Sequence, residues 1–228
     1  MSTYALIVAA GSSARFGGEI PKQFRTLLDR PLLSWTIERF EKSASIDHIV
    51  IVVAEEFLLH TNQKIVEPYG FTKVRKIVIG GETRSESVKK GLESLPLSTS
   101  LVAIHDGARP LVRPEDIDLV VETAQKERAA ILGILATDTV KRVQDRFILA
   151  TLDRQKLMLA QTPQVFQYDL IREGYQTTGD LSSITDDASL VEELGFKVKV
   201  CVPSGNNMKV TTADDLKLAE MIIRSEKG

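Results

Sequence analysis

Apolar and polar positions along this chain follow two rhythms. "YALIVAA" (4–10), "HIVIVVA" (48–54), "VRKIVIG" (74–80) and "LVAIHDG" (101–107) are short runs rich in Val and Ile. They are apolar on both faces, as strands are in a parallel sheet covered on each side. Between them, residues of roughly 31–43, 55–68, 83–95 and 114–128 repeat at helical spacing. Pro31 and Pro114 suit a first helical turn, Gly70 suits a helix end, and Gly91 falls inside a helix. Strands alternating with helices over short connections predict an α/β doubly wound, mostly parallel sheet.

The rhythm changes near residue 130. "AAILGILA" (129–136) is another strand, and "TDTVKRVQDRFILATLDR" (137–154) then alternates and turns at Gln144–Asp145. That predicts a β-hairpin inserted at about 137–155. A lone hairpin is only marginally stable in water, so it should pack on something. Helical stretches follow at 168–178 and 186–194, then the strand "KVKVCVP" (197–203) and a closing helix (213–224). Thr212 can cap that last helix, with Asp215 three residues on. With no internal repeat and no low-complexity linker, residues 1–228 read as one domain.

Composition narrows the field. The 29 Lys and Arg against 31 Asp and Glu give a net charge of −2, which argues against a general nucleic-acid binder but leaves room for a local basic pocket. The single cysteine, Cys201, excludes an internal disulfide and fits a reducing compartment; it reads as a packing residue. No apolar run approaches the roughly 20 residues needed to cross a bilayer, and "YALIVAA" lacks the basic leader of a signal peptide. A soluble, cytoplasmic protein without a membrane partner is expected.

The candidate chemistry starts in "AAGSSARFGGEIPKQF" (9–24), a small-residue loop that follows the first strand and holds Arg15 and Lys22. Open α/β sheets bind ligands at the carboxyl ends of their strands. Gly and Ser let backbone N–H groups approach an anion, while the arginine fork and the lysine point charge suit phosphate oxygens. A P-loop would need Gly-Lys after the spacer, and a dinucleotide fingerprint would need a second glycine where Ser13 stands. Glu55, after the second strand, only faintly imitates a ribose carboxylate and reads better as a helix start. A flexible surface loop with solvated charges is the plain alternative. Two further polar loops end strands: "GGETRSES" (80–87) and "HDGARP" (105–110), which puts Asp106 at the sheet edge. His105, beside it, reads as structural, and Trp35 and Phe40 read as core.

These stretches, with "TLDRQKLMLAQTPQVF", "SITDDAS" and "NNMKVTTADDL", resemble the 2-C-methyl-D-erythritol 4-phosphate cytidylyltransferase family over nearly the whole chain. The resemblance implies a Rossmann-like nucleotidyltransferase fold whose hairpin is a dimerisation arm. It implies CTP and a sugar-alcohol phosphate as substrates, a homodimer, and Mg2+ or another divalent cation as cofactor. By position, Ala9, Ala10, Gly11 and Ser12 would line the nucleotide, and Arg15, Lys22 and Lys209 would hold its phosphates. Gly81, Glu82 and Ser87 would read the cytosine edge, largely through backbone groups. Asp106 would stand between ribose, metal and incoming substrate. Arg109, Thr162 and Thr185 would contact the sugar phosphate, with Thr139 and Arg154 reaching it from the neighbouring subunit. One departure is Asn206-Asn207-Met208, where many relatives carry Asp-Asn; an amide oxygen brings no charge to a metal. Ribitol-5-phosphate cytidylyltransferase shares the loop, "TPQ" and "KVTT", and an NAD-dependent oxidoreductase shares the sheet. The other motifs favour the erythritol family, and the broken glycine pattern disfavours the oxidoreductase.

The implied reaction suits the residues. A phosphate oxygen attacks the α-phosphorus of CTP and pyrophosphate leaves. A phosphate monoester is already mostly a dianion at pH 7, since its second pKa is about 6, so no strong base is needed. The barrier is the meeting of two anions, and fixed cations lower it.

Overall fold

The computed structural model describes residues 2–11, 21–181 and 184–227. Seven strands form one sheet. In chain order they are β1 (Ser2–Ala9), β4 (His48–Val53), β5 (Val74–Ile79), β6 (Thr99–Asp106), β7 (Ala129–Leu135), β10 (Met158–Gln167) and β11 (Lys199–Cys201). In space they run β11-β7-β10-β6-β1-β4-β5. β1 pairs in parallel with β4 and β6, β4 with β5, and β7 with β11. β10 alone runs against both its neighbours. The chain therefore works outward from β1 to β5, then returns across β1 to begin again at β6. That reversal opens a crevice at the carboxyl ends of β1 and β6.

Side-chain alternation sorts the core to the two faces. Ala5, Ile7, Leu101 and Ala103 pack on one face with Leu33 and Ile37 of α1 (Leu32–Lys42) and Val120 and Val121 of α5 (Pro114–Glu127). Leu6, Val102 and Ile104 pack on the other with α4 (Arg84–Glu93), α6 (Tyr168–Thr177) and α7 (Ala188–Glu193). A smaller cluster, Leu27, Leu32, Trp35, Leu111, Val210 and Ile223, seats α8 (Ala213–Lys227) beside the two-residue strands β2 (Thr26–Leu27) and β3 (Arg30–Pro31).

The expected helix at 55–68 is instead a mixed run through Glu55–Phe57, α2 (Leu58–Thr61), a wider π turn (Asn62–Val66) and α3 (Glu67–Tyr69). Pro68 explains the widening: it has no N–H to offer the carbonyl four residues back, and its ring displaces that carbonyl. Gly70 ends the run with φ at +61°, a conformation that glycine adopts without strain.

The hairpin forms as expected, from β8 (Lys141–Gln144) and β9 (Phe147–Thr151). Its turn falls one residue later, at Asp145 and Arg146, which both have positive φ. Such a two-residue turn matches the twist of the flanking strands. The two strands form a sheet of their own, pairing with nothing else among the described residues. β10 is not among the strands that the apolar pattern predicts, and it carries Pro163. Its ladder with β7 breaks between Ala160 and Gln164, so the proline sits where no ladder hydrogen bond is required.

Candidate active site

The crevice is built by small residues. Gly107 follows β6, and its N–H donates to Val8 O of β1 at 2.8 Å. A side chain at Gly107 would crowd Ala9 and Leu33. Gly80, after β5, approaches Ala10 so closely that a Cβ there would lie 2.6 Å from that of Ala10. The start of the first loop and the "GGETRSES" loop thus meet at one edge. Gln23, 4% exposed, ties the returning end of the first loop down. Its Nε2 donates to Ala9 O at 2.7 Å and to Gly11 O at 3.1 Å. Lys22, one residue before, is half-buried. Ser12 and Arg15 lie outside the described residues.

Asp106, at the end of β6, is 7% exposed and is the centre of the site. Lys209 Nζ stands 2.8 Å from its Oδ2, Arg84 Nε 3.0 Å from its Oδ1, and Arg109 Nε 3.6 Å from Oδ2. Burial alone would push the carboxyl up, but Arg84, Lys209 and Arg109 hold it far below the usual carboxylate range. Asp106 is therefore an anion whose charge is answered three times. Its own N–H donates to Thr162 Oγ1 at 3.1 Å.

That hydroxyl belongs to a short buried network. His105 is wholly buried, and burial pushes its imidazole down to about 3, so it is neutral. Its Nε2 faces Arg109 O at 3.2 Å, an acceptor, which assigns the ring proton to Nε2. Nδ1 then accepts from the Thr162 hydroxyl at 3.1 Å. The structural reading of His105 agrees with this placement. Thr162, the residue expected to contact the sugar phosphate, thus has its hydroxyl between the Asp106 N–H and His105 Nδ1.

The break in β10 aims polar side chains at the site, as bulges do beside ligands. Gln164 bridges to Asp186 Oδ2 and the Ala188 N–H. Asn207 Nδ2 donates to Thr162 O at 2.7 Å and Gln161 Oε1 at 3.1 Å, which pins the Lys209 loop to β10. Arg109 Nη1 holds Asn207 O at 2.8 Å, and Val210 N–H bonds Ala108 O at 2.8 Å. Asn207 Oδ1 and Arg109 Nε are buried without a hydrogen-bond partner. Asn206 is exposed.

The "GGETRSES" loop is internally tied. Thr83 caps α4 in a reciprocal capping box with Glu86. Gly81 N–H donates to Ser87 Oγ at 3.0 Å and Glu82 N–H to Glu86 Oε2 at 2.8 Å. Ser87 is 1% exposed. The residues expected to read a base are thus preset by α4, with these two donors already engaged.

Nothing local in "GGETRSES" marks Arg84 for a role. In the fold it bridges Asp106 to Asp187, whose carboxylate accepts from Nη1 at 3.1 Å and Nη2 at 2.8 Å. Thr185 is exposed near this point, while Thr139 and Arg154 lie on the exposed arm. Arg154 Nη1 donates to Thr137 O, and neither residue joins the Asp106 network. Among the described residues no group of three or more His, Cys, Asp or Glu could hold a metal. Among the described residues, Asp106 is the carboxylate at the carboxyl end of β6 with a hard oxygen to offer.

A doubly wound sheet with basic residues and one ionised aspartate at its switch point defines an α/β nucleotidyltransferase-like protein. The family model described as 2-C-methyl-D-erythritol 4-phosphate cytidylyltransferase matches residues 3–225, and the chain belongs to that family. A relative of that name from Syntrophotalea carbinolica is 43% identical, covering 98% of this chain and 97% of its own. The crystal structure of 4-diphosphocytidyl-2C-methyl-D-erythritol synthase from Anaerococcus prevotii matches with a TM-score of 0.86 at 29% identity, covering 98% of this chain and 96% of its own. The cytidylyltransferase from Thermus thermophilus matches with a TM-score of 0.78 at 31% identity, covering 98% and 100%.

Proposed function

We propose that this enzyme transfers the cytidylyl group of CTP to 2-C-methyl-D-erythritol 4-phosphate. The products are 4-diphosphocytidyl-2-C-methyl-D-erythritol and pyrophosphate. The carrying observation is Lys209, whose ammonium reaches Asp106 at 2.8 Å while its side chain stays 36% exposed at the crevice. A lysine so placed can turn from a carboxylate to an arriving phosphate, because its stem is flexible and its charge compact.

In this reading Arg15 and Lys22 hold the triphosphate above Ala9, Ala10, Gly11 and Ser12. Gly81, Glu82 and Ser87 receive the cytosine, exchanging bonds within their loop for bonds to the base. Asp106 receives the ribose, and Arg109, Thr162 and Thr185 border the sugar phosphate. Thr162 acts there through its backbone and through Asp106, since its hydroxyl is committed. The sugar's phosphate oxygen forms a bond to the α-phosphorus as the bond to the pyrophosphate oxygen breaks. Arg15, Lys22 and Lys209 stabilise the charge that grows on the α-phosphoryl oxygens.

The donor set fits magnesium in one way: Asp106 as a protein ligand, with phosphate oxygens and water completing the shell, as is usual for this ion. Bound there, the ion would supply Lewis-acid neutralisation of phosphate charge. A homodimer through the β8–β9 arm would bring Thr139 and Arg154 to the partner's sugar phosphate. One cysteine in 228 residues fits cytoplasmic residence.

The test is pyrophosphate release with each of four nucleoside triphosphates, offered with methylerythritol phosphate or ribitol 5-phosphate. Only CTP with the erythritol ester should react. Lys22→Ala should lower kcat by roughly 10²–10³. A variant at wild-type rate, or turnover with ribitol phosphate alone, would overturn the assignment.

A further inference from the structure

The three cations around Asp106 do not hold it alike. Lys209 comes from a loop and stays partly exposed. Arg109 stands 3.6 Å away and has Nη1 on the Asn207 carbonyl. Arg84 donates from Nε to Asp106 Oδ1 at 3.0 Å, and both its terminal nitrogens are gripped by Asp187. The Asp187 side chain is wholly buried, and its Oδ1 also accepts from the Tyr175 phenol at 2.6 Å. Tyr175 is itself 2% exposed, on α6. A chain of buried groups therefore runs from α6 through Asp187 and Arg84 to Asp106.

Resting on the cytidylyl-transfer reading above, we propose that Arg84 is a positioning residue for that reaction. Asp187 and Tyr175 lock its guanidinium so that it stays the standing counter-ion of Asp106 when Lys209 swings to a substrate phosphate. The physical need is clear. A buried carboxylate stripped of its partner is strongly disfavoured, so Lys209 could not leave readily if it were the main compensation. With Oδ1 fixed by Arg84, the carboxylate keeps its charge and direction through the exchange, and Oδ2 is the oxygen presented to ligand. The planar fork suits this task, since it meets two carboxylates at once in a fixed geometry. Arg84 also opens α4, so the capping box at Thr83 and Glu86 fixes its backbone.

The experiment compares wild type, Arg84→Lys, Arg84→Met, Tyr175→Phe and the Arg84→Met/Tyr175→Phe double variant. Steady-state kinetics for both substrates are read beside thermal unfolding. Arg84→Met should lower kcat roughly 10–100-fold, the usual effect of removing an outer-shell partner, with KM for CTP moving less than about threefold. Arg84→Lys keeps the charge without the fork and should recover part of the loss. Tyr175→Phe should lower kcat on its own yet add nothing in the Arg84→Met background, because it acts only through Arg84. If Arg84→Met does not fold, Arg84→Lys and Tyr175→Phe carry the comparison. Loss of activity that merely tracks the folded fraction, or independent multiplying effects of the two sites, would end the inference while leaving the transfer reading standing. A wild type that releases no pyrophosphate from CTP would end both.

Discussion

At the scale of single residues, the site works by holding charge states apart. His105 and Asp106 are neighbours, yet the fold keeps one neutral and the other ionised. His105 titrates at about 3 in the fold against 6.5 unfolded, chiefly through burial. Between those values the unfolded chain binds a proton that the folded chain does not. Stability therefore rises with pH across that window and is lost as pH falls from 6.5 toward 3, by on the order of 1.4 kcal/mol per unit at full difference. Asp106, depressed from 3.8, adds its own loss only at lower pH, below its ordinary titration. Urea midpoints between pH 7 and 4 should fall steeply for wild type and less so for His105→Gln, whatever its absolute stability. Equal slopes would refute the neutral assignment. Asp106 and Lys209 could be picked from sequence because each stands in a distinctive local string. Arg84 could not: its partner Asp187 lies 103 residues away, and only the fold shows that "GGETRSES" and "SITDDAS" meet.

At the scale of elements, local pattern served wherever an element obeyed its own periodicity. The four parallel strands from β1 to β6 and the helices α1, α4 and α5 follow apolar rhythms that need no tertiary knowledge. β10 breaks every such rule. Gln161, Thr162 and Gln164 are buried polar residues, and Pro163 sits among them. The strand is legible only once its break is seen to give each of those groups a polar partner: Thr162 the Asp106 N–H, Gln161 the Asn207 amide, and Gln164 Asp186 and the Ala188 N–H. Gly91 lies inside α4, where glycine is a poor helix former, and the fold supplies the reason. A Cβ there would lie 2.4 Å from Leu6 Cδ1 and 3.0 Å from Val52 Cγ2, both in buried side chains. Gly91→Ala should gain about 1 kcal/mol of helix propensity yet lose stability overall, because overpacking a tight core costs roughly 1–3 kcal/mol. The measurement is the urea midpoint at unchanged m. A variant more stable than wild type would show that α4 can lift from β1 without strain.

At the scale of the whole molecule, the arm is the feature that one chain leaves unexplained. Phe147 is 76% exposed, Ile148 64%, Val143 57% and Leu149 54%, all on a two-stranded sheet whose strands pair only with each other among the described residues. An isolated hairpin is marginal in water, and large apolar side chains this exposed on both of its faces mark surfaces made to be covered. A second copy of the chain is the occupant we propose, and Arg154 at the arm's base would then serve the partner's site. Phe147→Asp should shift the protein toward monomer in light scattering and lower its activity at dilute concentration. Complementation then separates a shared site from mere association. Asp106→Asn and Arg154→Ala homodimers should each be impaired. Co-expressed, they form heterodimers in which one site takes Asp106 from the Arg154→Ala chain and Arg154 from the other, so activity should return well above either parent. If the mixture is no better than the parents' average while heterodimers are present, Arg154 serves its own subunit and the arm only holds the dimer together.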